Sequence, residues 1–493
     1  MTGIAAPGSR VALRDGTRSI SHAQLPELVA AEGNWLAGSG AQRFALLADN
    51  GCGWALTDLA LADRGLLHVP MPGYFTPRQM MHVLDDAGID AVITDEPATL
   101  QALDPGFAPA GCSTVTGLAL WRRPVPEVSH PLPSGTAKIT YTSGSTAEPK
   151  GVCLSAELLE AVAHSLEKVT AALGLTRHLC ILPLATLLEN VAGVCTALRS
   201  GTTCEIPSLR DSGMNYGRLQ AAQLVATITG RAPDSLILVP ELLRVLVAAA
   251  GQGWKPPSSL RFIAVGGAPV SPALLARAHR LGLPVYEGYG LSECGSVVCL
   301  NVPGANRPGT VGRPLPHLQV RIGPDGQITV AHAGMLGYLG EAGRQTGAEI
   351  ETGDLGSIDA DGYVHVRGRL KNLLITGFGR NIEPEWVERE LVQEPEIASA
   401  IVLGEGRPHL AALLCPASRR ITAQRLAAAV DRANGRLPDY AQVRSWALPA
   451  EPFTFESGAL TANGRLRRAH ILGQNGPVIG RLYRDLTIGE RCA

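Results

Sequence analysis

The stretch from Thr142 to Gly151 reads TSGSTAEPKG. Thr142, Ser143, Ser145 and Thr146 set four hydroxyls around Gly144, and Pro149, Lys150 and Gly151 follow. Short hydroxyls, a flexible backbone and a cation in one loop are the groups that hold a phosphate. Backbone N–H groups and hydroxyls cradle the oxygens, and the cation balances their charge. The spacing is not GxxxxGK[ST], so this is not a Walker A loop. Its lysine follows the donors and comes from the loop's far end. Taken alone, the stretch reads equally well as a polar surface loop without a ligand. The lysine itself is unusual in this chain. Of 43 basic residues only five are lysine, namely Lys138, Lys150, Lys168, Lys255 and Lys371. Codon composition explains most such bias, yet it makes each retained lysine worth accounting for.

A loop of this kind needs rigid support, and AKITYTS, a strand-like run, ends in it. The first half alternates such runs with helical spacing: RFALLAD as a strand, GWALTDLALADRG as a helix, LLHVPM and IDAVITD as strands. TPRQMMHVLDDAG is a helix opened by Thr76, with Pro77 at its first position. The pattern recurs at DSLILVPELLRVLVAAAGQG and LRFIAVGGAPVSPALLARAHRLG. Strand–helix–strand at this spacing predicts parallel α/β layers. From about Asn301 the texture becomes antiparallel, with turns at Asp325-Gly326 and Asp361-Gly362. After Arg369 a compact α+β stretch follows. The fold class expected is therefore α/β. A large N-terminal domain of layered parallel sheets with helices and a β-rich part covers 1–368, and a small α+β C-terminal domain covers 369–493.

Composition supports this division. The chain has 493 residues, 45% of them hydrophobic and 18% charged, enough for a large core plus a smaller one. A formal net charge of −1 gives no global basic field for nucleic acid or anionic membrane. The ten cysteines show no CxxC pair or zinc spacing, and they sit mostly in apolar runs as reduced core residues. The N-terminus lacks a signal pattern, and no run of 18 apolar residues spans a membrane, so a cytoplasmic address is expected.

The loop resembles [ST]SG[ST]TGxPKG, the phosphate loop of the acyl-adenylate-forming enzymes. These include acyl-CoA synthetases, peptide-synthetase adenylation domains and luciferase. Ala147 stands where glycine is usual. Further landmarks follow in family order from about Asn50 to Ile471. Val265, Gly266, Gly267, Ala268 and Pro269 resemble the segment that borders adenine. GYGLSE resembles GYGxTE, with Ser292 for threonine. TGDLG carries Asp354, and GRLKNLL carries Arg369 and Lys371. The resemblance implies that Thr142, Ser143, Gly144, Ser145, Thr146 and Lys150 hold the β- and γ-phosphates of ATP. It implies that Tyr289 and Gly290 border the adenine, Ser292 contacts phosphate, and Glu293 holds Mg²⁺ together with Thr146. Asp354 and Arg369 would meet the ribose, and Lys371 would be the hinge of a mobile C-terminal domain. A flat ring suits a purine, and a hard cation wants carboxylate oxygen.

Two stretches lean toward the fatty-acyl branch. ILPLATLLENVAG resembles LPLAHxxER, with Thr186 for histidine and Asn190 for arginine, and NIEPEWVE resembles NIxPxxIE. NVAGVCTALRSG reads as core helix, and its apolar side chains also suit an acyl-pocket wall. The resemblance implies an acid–thiol ligase: a carboxylic acid and MgATP give acyl-AMP and pyrophosphate, and a thiol then gives a thioester and AMP. The thiol expected is coenzyme A, near Thr376–Asn381, or the phosphopantetheine of an acyl carrier protein. One departure bears on catalysis. LTANGRLRRAHI resembles LTxxGKxxR, and Arg465 stands at the lysine that reaches the carboxylate and α-phosphate. A fixed planar fork and a compact point charge are not equivalent. This departure leaves open a non-catalytic or half-reaction-only adenylate-binding protein, and a luciferase-like oxygenase on the same fold stays open beside it.

Overall fold

The computed structural model describes residues 9–124, 130, 132–142, 149–215, 218–331, 334–341, 349–376, 381–461 and 464–483. Short runs such as Arg43–Leu47, Leu67–Pro70 and Ala91–Thr94 are almost entirely buried. Apolar on both faces, they become inner strands of a parallel sheet covered by helices. The helix Pro77–Asp86 begins where Thr76 predicts. The Thr76 hydroxyl accepts from the Gln79 N–H, and the Gln79 side chain accepts from the Thr76 N–H at 3.0 Å, closing a capping box.

Two large sheets carry the N-terminal body. One has nine strands, with Val285–Tyr289, Phe262–Val265, Ser235–Leu238 and Arg177–Leu179 adjacent and parallel. The other has eight, with Lys138–Thr142, Leu67–Pro70, Arg43–Leu47 and Ala91–Thr94 adjacent and parallel. The layered α/β arrangement is as the sequence indicates, with one refinement at the sheet edges. There the connections are too short to hold a crossover helix, so the next strand returns antiparallel. Lys138–Thr142 pairs in this way with Lys150–Leu154, and Val285–Tyr289 with Cys299–Leu300. A four-stranded antiparallel sheet follows, from Gln319–Ile322 to Val364–Arg369. Its turns fall at Asp325-Gly326 and Asp361-Gly362, as expected.

Toward the C-terminus a three-stranded sheet, Ile397–Leu403, Leu410–Pro416 and Val443–Ala447, packs against the helices Pro384–Val392 and Ala423–Asn434. The hydrophobic clusters divide cleanly. Four draw on residues from Ala12 to Val366, and two draw on residues from Leu374 to Tyr483. The described cysteines are free thiols and mostly buried, but Cys112 is exposed, on the edge strand Ala108–Cys112, whose residues are all exposed. Among the described residues, no helix is long and apolar enough to cross a membrane.

Candidate active site

The two ends of the phosphate-type stretch lie on paired antiparallel strands. Thr142 ends one strand, Lys150 begins the next, and the two are paired across the ladder. Ser143, Gly144, Ser145 and Thr146 lie outside the described residues. Lys150 is therefore not a loop residue, as its polar surroundings suggest, but the first residue of a strand. Its ammonium lies 3.2 Å from Glu341 and 5.4 Å from the centre of the Tyr338 ring.

Parallel strands deliver the next group, because their carboxyl ends open on one crevice. Gly266, Gly267, Ala268 and Pro269 follow the strand Phe262–Val265, and Tyr289 closes the neighbouring strand Val285–Tyr289. Gly290 then turns the chain where no side chain fits: a Cβ there would stand 1.7 Å from the Ser296 carbonyl oxygen. Ser292 and Glu293 lie on the short 3₁₀ turn Ser292–Cys294. The Tyr338 hydroxyl donates to Glu293 Oε1 at 2.7 Å. Tyr338 belongs to the two-residue strand Gly337–Tyr338, which pairs with Lys150–Leu154. Sequence reasoning missed it, because its partner Glu293 is 45 positions away.

Asp354 lies on the long strand Glu349–Ile358 and faces Arg369 at the end of Val364–Arg369. Arg369 Nε is 2.6 Å from Asp354 Oδ1, and the Tyr289 hydroxyl donates to Asp354 Oδ2 at 2.6 Å. Burial raises the Asp354 pKa, with Arg369 and Tyr289 opposing. Burial also raises the Tyr289 phenol, reinforced by the Asp354 charge. Lys371 is on the exposed 3₁₀ turn Leu370–Asn372. Arg465 comes from the far end of the chain, and its Nε donates to the Gly267 carbonyl. The cleft walls that desolvate the guanidinium, with Arg369 nearby, lower its pKa, against the pull of Asp354, Tyr289 and Glu293. Water in the cleft still reaches Arg465, so the penalty is smaller than its depth implies.

The described residues expected to meet ATP, the metal and the carboxylate line one cleft. Thr376, from the segment expected near the thiol, is not among its lining residues, and residues 377–380 of that segment lie outside the described residues. The cleft's volume is about 2920 Å³, far above the ~300–1,000 Å³ of an ordinary small-molecule pocket. There is room for a nucleotide and a second ligand. One wall is the segment Leu188–Cys195, the expected core helix, which is wound as a π-helix. Leu187, Leu188, Ala192, Gly193 and Thr196 line the cleft there, so the segment is both core and wall.

Residues 3–344 match the family model described as AMP-binding enzyme, and residues 371–487 match that of the AMP-binding enzyme C-terminal domain. The chain belongs to the AMP-binding enzyme family. It is 27% identical over 437 residues to the long-chain-fatty-acid–CoA ligase FadD15 of Mycobacterium bovis, covering 73% of this chain and 70% of that one. The anthranilate CoA ligase AuaEII, solved with anthranoyl-AMP, superposes with a TM-score of 0.79 at 18% identity, over 96% of this chain and 95% of that one. O-succinylbenzoate coenzyme A synthetase from Bacillus subtilis, solved with ATP and magnesium ion, gives 0.73 at 22% identity, over 94% and 96%.

Proposed function

We propose that the protein is an acid–thiol ligase that works in two steps. A carboxylate oxygen attacks the α-phosphorus of ATP, the bond to the β-phosphate oxygen breaks, and pyrophosphate leaves. A thiolate then attacks the acyl carbon of the adenylate, the carbon–oxygen bond breaks, and AMP leaves. One observation carries this reading. The motif residues from five distant stretches line a single cleft, and Arg465 crosses from the C-terminal region to Gly267.

In the first step two anions must meet. Arg465 is the cation at that place, and preorganised charge where charge develops is usually the largest catalytic contribution. Lys150 and Thr142, paired across the ladder, hold the departing phosphates, together with Ser143, Gly144, Ser145 and Thr146. Tyr289 offers its ring to the adenine beside Gly266, Gly267, Ala268, Pro269 and Gly290. Ser292 contacts phosphate. Asp354 and Arg369 hold the ribose hydroxyls. A magnesium ion suits Glu293: its Oε1 accepts from Tyr338, and Oε2 has no protein partner among the described residues. Glu293, with Thr146, would hold the ion, which supplies charge neutralisation to the phosphates.

The acid enters beside the π-helix, where the apolar lining of Leu187, Leu188 and Ala192 favours an aliphatic acyl chain. The FadD15 relative, named for long-chain fatty acids, supports this choice. Coenzyme A is the preferred thiol, in line with the relatives' names; a carrier-protein phosphopantetheine presents the same group. We further propose that 1–368 and 369–493 are separate domains and that the second rotates about Lys371 between steps. Free, mostly buried cysteines fit a reducing compartment, and a cytoplasmic setting belongs to this reading.

The test is pyrophosphate release with ATP, magnesium and a panel of straight-chain and aromatic acids, followed by thioester formation when coenzyme A is added. Acid-dependent release and a thioester are expected. Release from no acid, with nucleotide binding intact, would leave the adenylate-binding alternative that Arg465 raises.

A further inference from the structure

Behind the π-helical wall lies a buried polar knot that the proposed chemistry does not use. Asp58, Lys138, His68 and Asn190 come from the helix Cys52–Asp63, the strands Lys138–Thr142 and Leu67–Pro70, and the π-helix Leu188–Cys195. All four are buried. Lys138 Nζ donates to Asp58 Oδ1 at 2.8 Å, to Asp58 Oδ2 at 3.1 Å and to Asn190 Oδ1 at 2.7 Å. Asn190 Nδ2 donates to Asp58 Oδ2 at 3.0 Å, and His68 Nε2 lies 3.0 Å from Asp58 Oδ1. The ring Lys138–Asp58–Asn190 thus fixes the π-helix to the eight-stranded sheet. The preceding residue is fixed to the other sheet. Glu189 accepts from the Leu182 N–H at 3.0 Å and lies 3.0 Å from His178 Nε2, on the strand Arg177–Leu179. Adjacent residues of one helix are therefore tied to opposite sheets, and Leu187, Ala192 and Gly193 beside them line the cleft.

Burying two charges stabilises a fold poorly, because their desolvation offsets their attraction. What such a pair supplies is a fixed geometry. We propose that Asp58, Lys138 and Asn190 are positioning residues for the acid substrate: they anchor the π-helical wall through Asn190, and the place of that wall selects the acids that are activated. The proposal rests on the reading that this chamber takes the acid.

Three variants test it, each followed by pyrophosphate release across a graded series of straight-chain and aromatic acids, with KM for ATP and melting temperature recorded. Asn190→Leu cuts the helix's link and leaves the Lys138–Asp58 pair closed. Its kcat/KM for the best acid should fall by ~10–10²-fold, since about 1 Å of misplacement costs that much. The ranking of acids should change, and KM for ATP should not. Asn190→Arg combined with Lys138→Met returns a single cation to Asp58 and restores the link, and the ranking should return toward wild type. A folded Asn190→Leu with the wild-type ranking overturns the proposal. So does a folded double variant that ranks acids as Asn190→Leu does. Should Asn190→Leu not fold, Asn190→Ser, too short to reach both partners, is judged by the same criteria. Ala192→Phe separates the two levels of inference: it should exclude the longer acids. If it leaves the series untouched, the chamber does not take the acid and the reading beneath the proposal fails. If it narrows the series while the Asn190 variants change only melting temperature, the reading stands and the positioning role falls.

Discussion

Arg465 carries the heaviest demand in the proposed chemistry, as the cation that would bring carboxylate and α-phosphate together. Its Nε already donates to the Gly267 carbonyl, leaving the terminal nitrogens of the fork for oxygen ligands. Arg465→Ala should lower acyl-AMP formation by ~10²-fold or more, the usual cost of losing one transition-state donor. Thioester formation from supplied acyl-AMP should hardly change. Equal loss in both steps would remove Arg465 from the first. Lys150→Ala should leave the melting temperature nearly unchanged, because its pair with Glu341 is 52% and 43% exposed at the two side chains, and such pairs contribute only ~0–1 kcal/mol. Adenylation should fall all the same; a large drop in melting temperature with normal adenylation would contradict the assignment. Tyr338→Phe removes the hydrogen bond that orients Glu293. A higher magnesium requirement in a metal titration is the expected result, and an unchanged titration curve would sever Tyr338 from the metal. Lys150, Asp354 and Arg369 were legible in the sequence because each stands inside a short run of distinctive residue types. Tyr338 was not: its partner Glu293 is 45 positions away and only the sheet brings them together.

At the scale of elements, legibility followed local chemistry. The helix Pro77–Asp86 announces itself through Thr76, Pro77 and Gln79, all within its first turn. The segment Leu188–Cys195 reads as an ordinary apolar helix. Its π winding has no recognisable sequence pattern: Glu189 reaches back to Leu182 and His178, 7 and 11 positions earlier, while Asn190 is held by Asp58, 132 positions away. The bare backbone at Gly193 belongs to the same arrangement. A Cβ there would stand 2.3 Å from Glu189 Oε1 and 2.9 Å from His178 Nε2. Gly193→Ala should therefore destabilise by ~1–3 kcal/mol, in the range of core overpacking, measured by denaturant melts; a neutral result would mean that the wall shifts freely. The 3₁₀ turn Leu370–Asn372 links the antiparallel sheet to the C-terminal helices. Lys371→Pro locks φ and removes an N–H there. Acyl-AMP should still form while thioester formation falls, and parallel loss of both would place the hinge elsewhere.

Across the whole molecule, a buried carboxyl and a half-buried one in the cleft wall titrate in opposite directions from their usual range. Burial pushes Asp58 up, but Lys138 and His68 together push further the other way, and its pKa ends below the usual carboxylate range. Its contribution to stability is present above that range and is lost as acid protonates it. Glu287, in the cleft wall, is raised by burial from 4.5 to about 8, against a backbone hydrogen bond from Val270 and the charge of Arg389. The folded state then keeps a proton that the unfolded chain has released, so stability falls as pH rises through that window. The melting temperature of Glu287→Gln should match wild type near the lower limit and exceed it increasingly toward the upper one; a constant offset would refute the assignment. A separate consequence follows from the hydrophobic clusters, none of which joins residues up to Val366 with residues from Leu374 onward. Cooperative melting needs shared apolar burial, and here the two sides meet through polar contacts such as Arg389 with the Val366 and Arg367 carbonyls, and through the edge-to-face ring pair Tyr74–Phe455, rather than through a common cluster. Two-state behaviour should therefore break down. Scanning calorimetry of the ligand-free protein should resolve two endotherms. An adenylate analogue that bridges Gly267 and Arg465 should move both upward and draw them together, because a ligand that needs both parts folded couples their unfolding. A single endotherm without ligand, with equal calorimetric and van't Hoff enthalpies, would show that this seam alone makes the molecule melt as one.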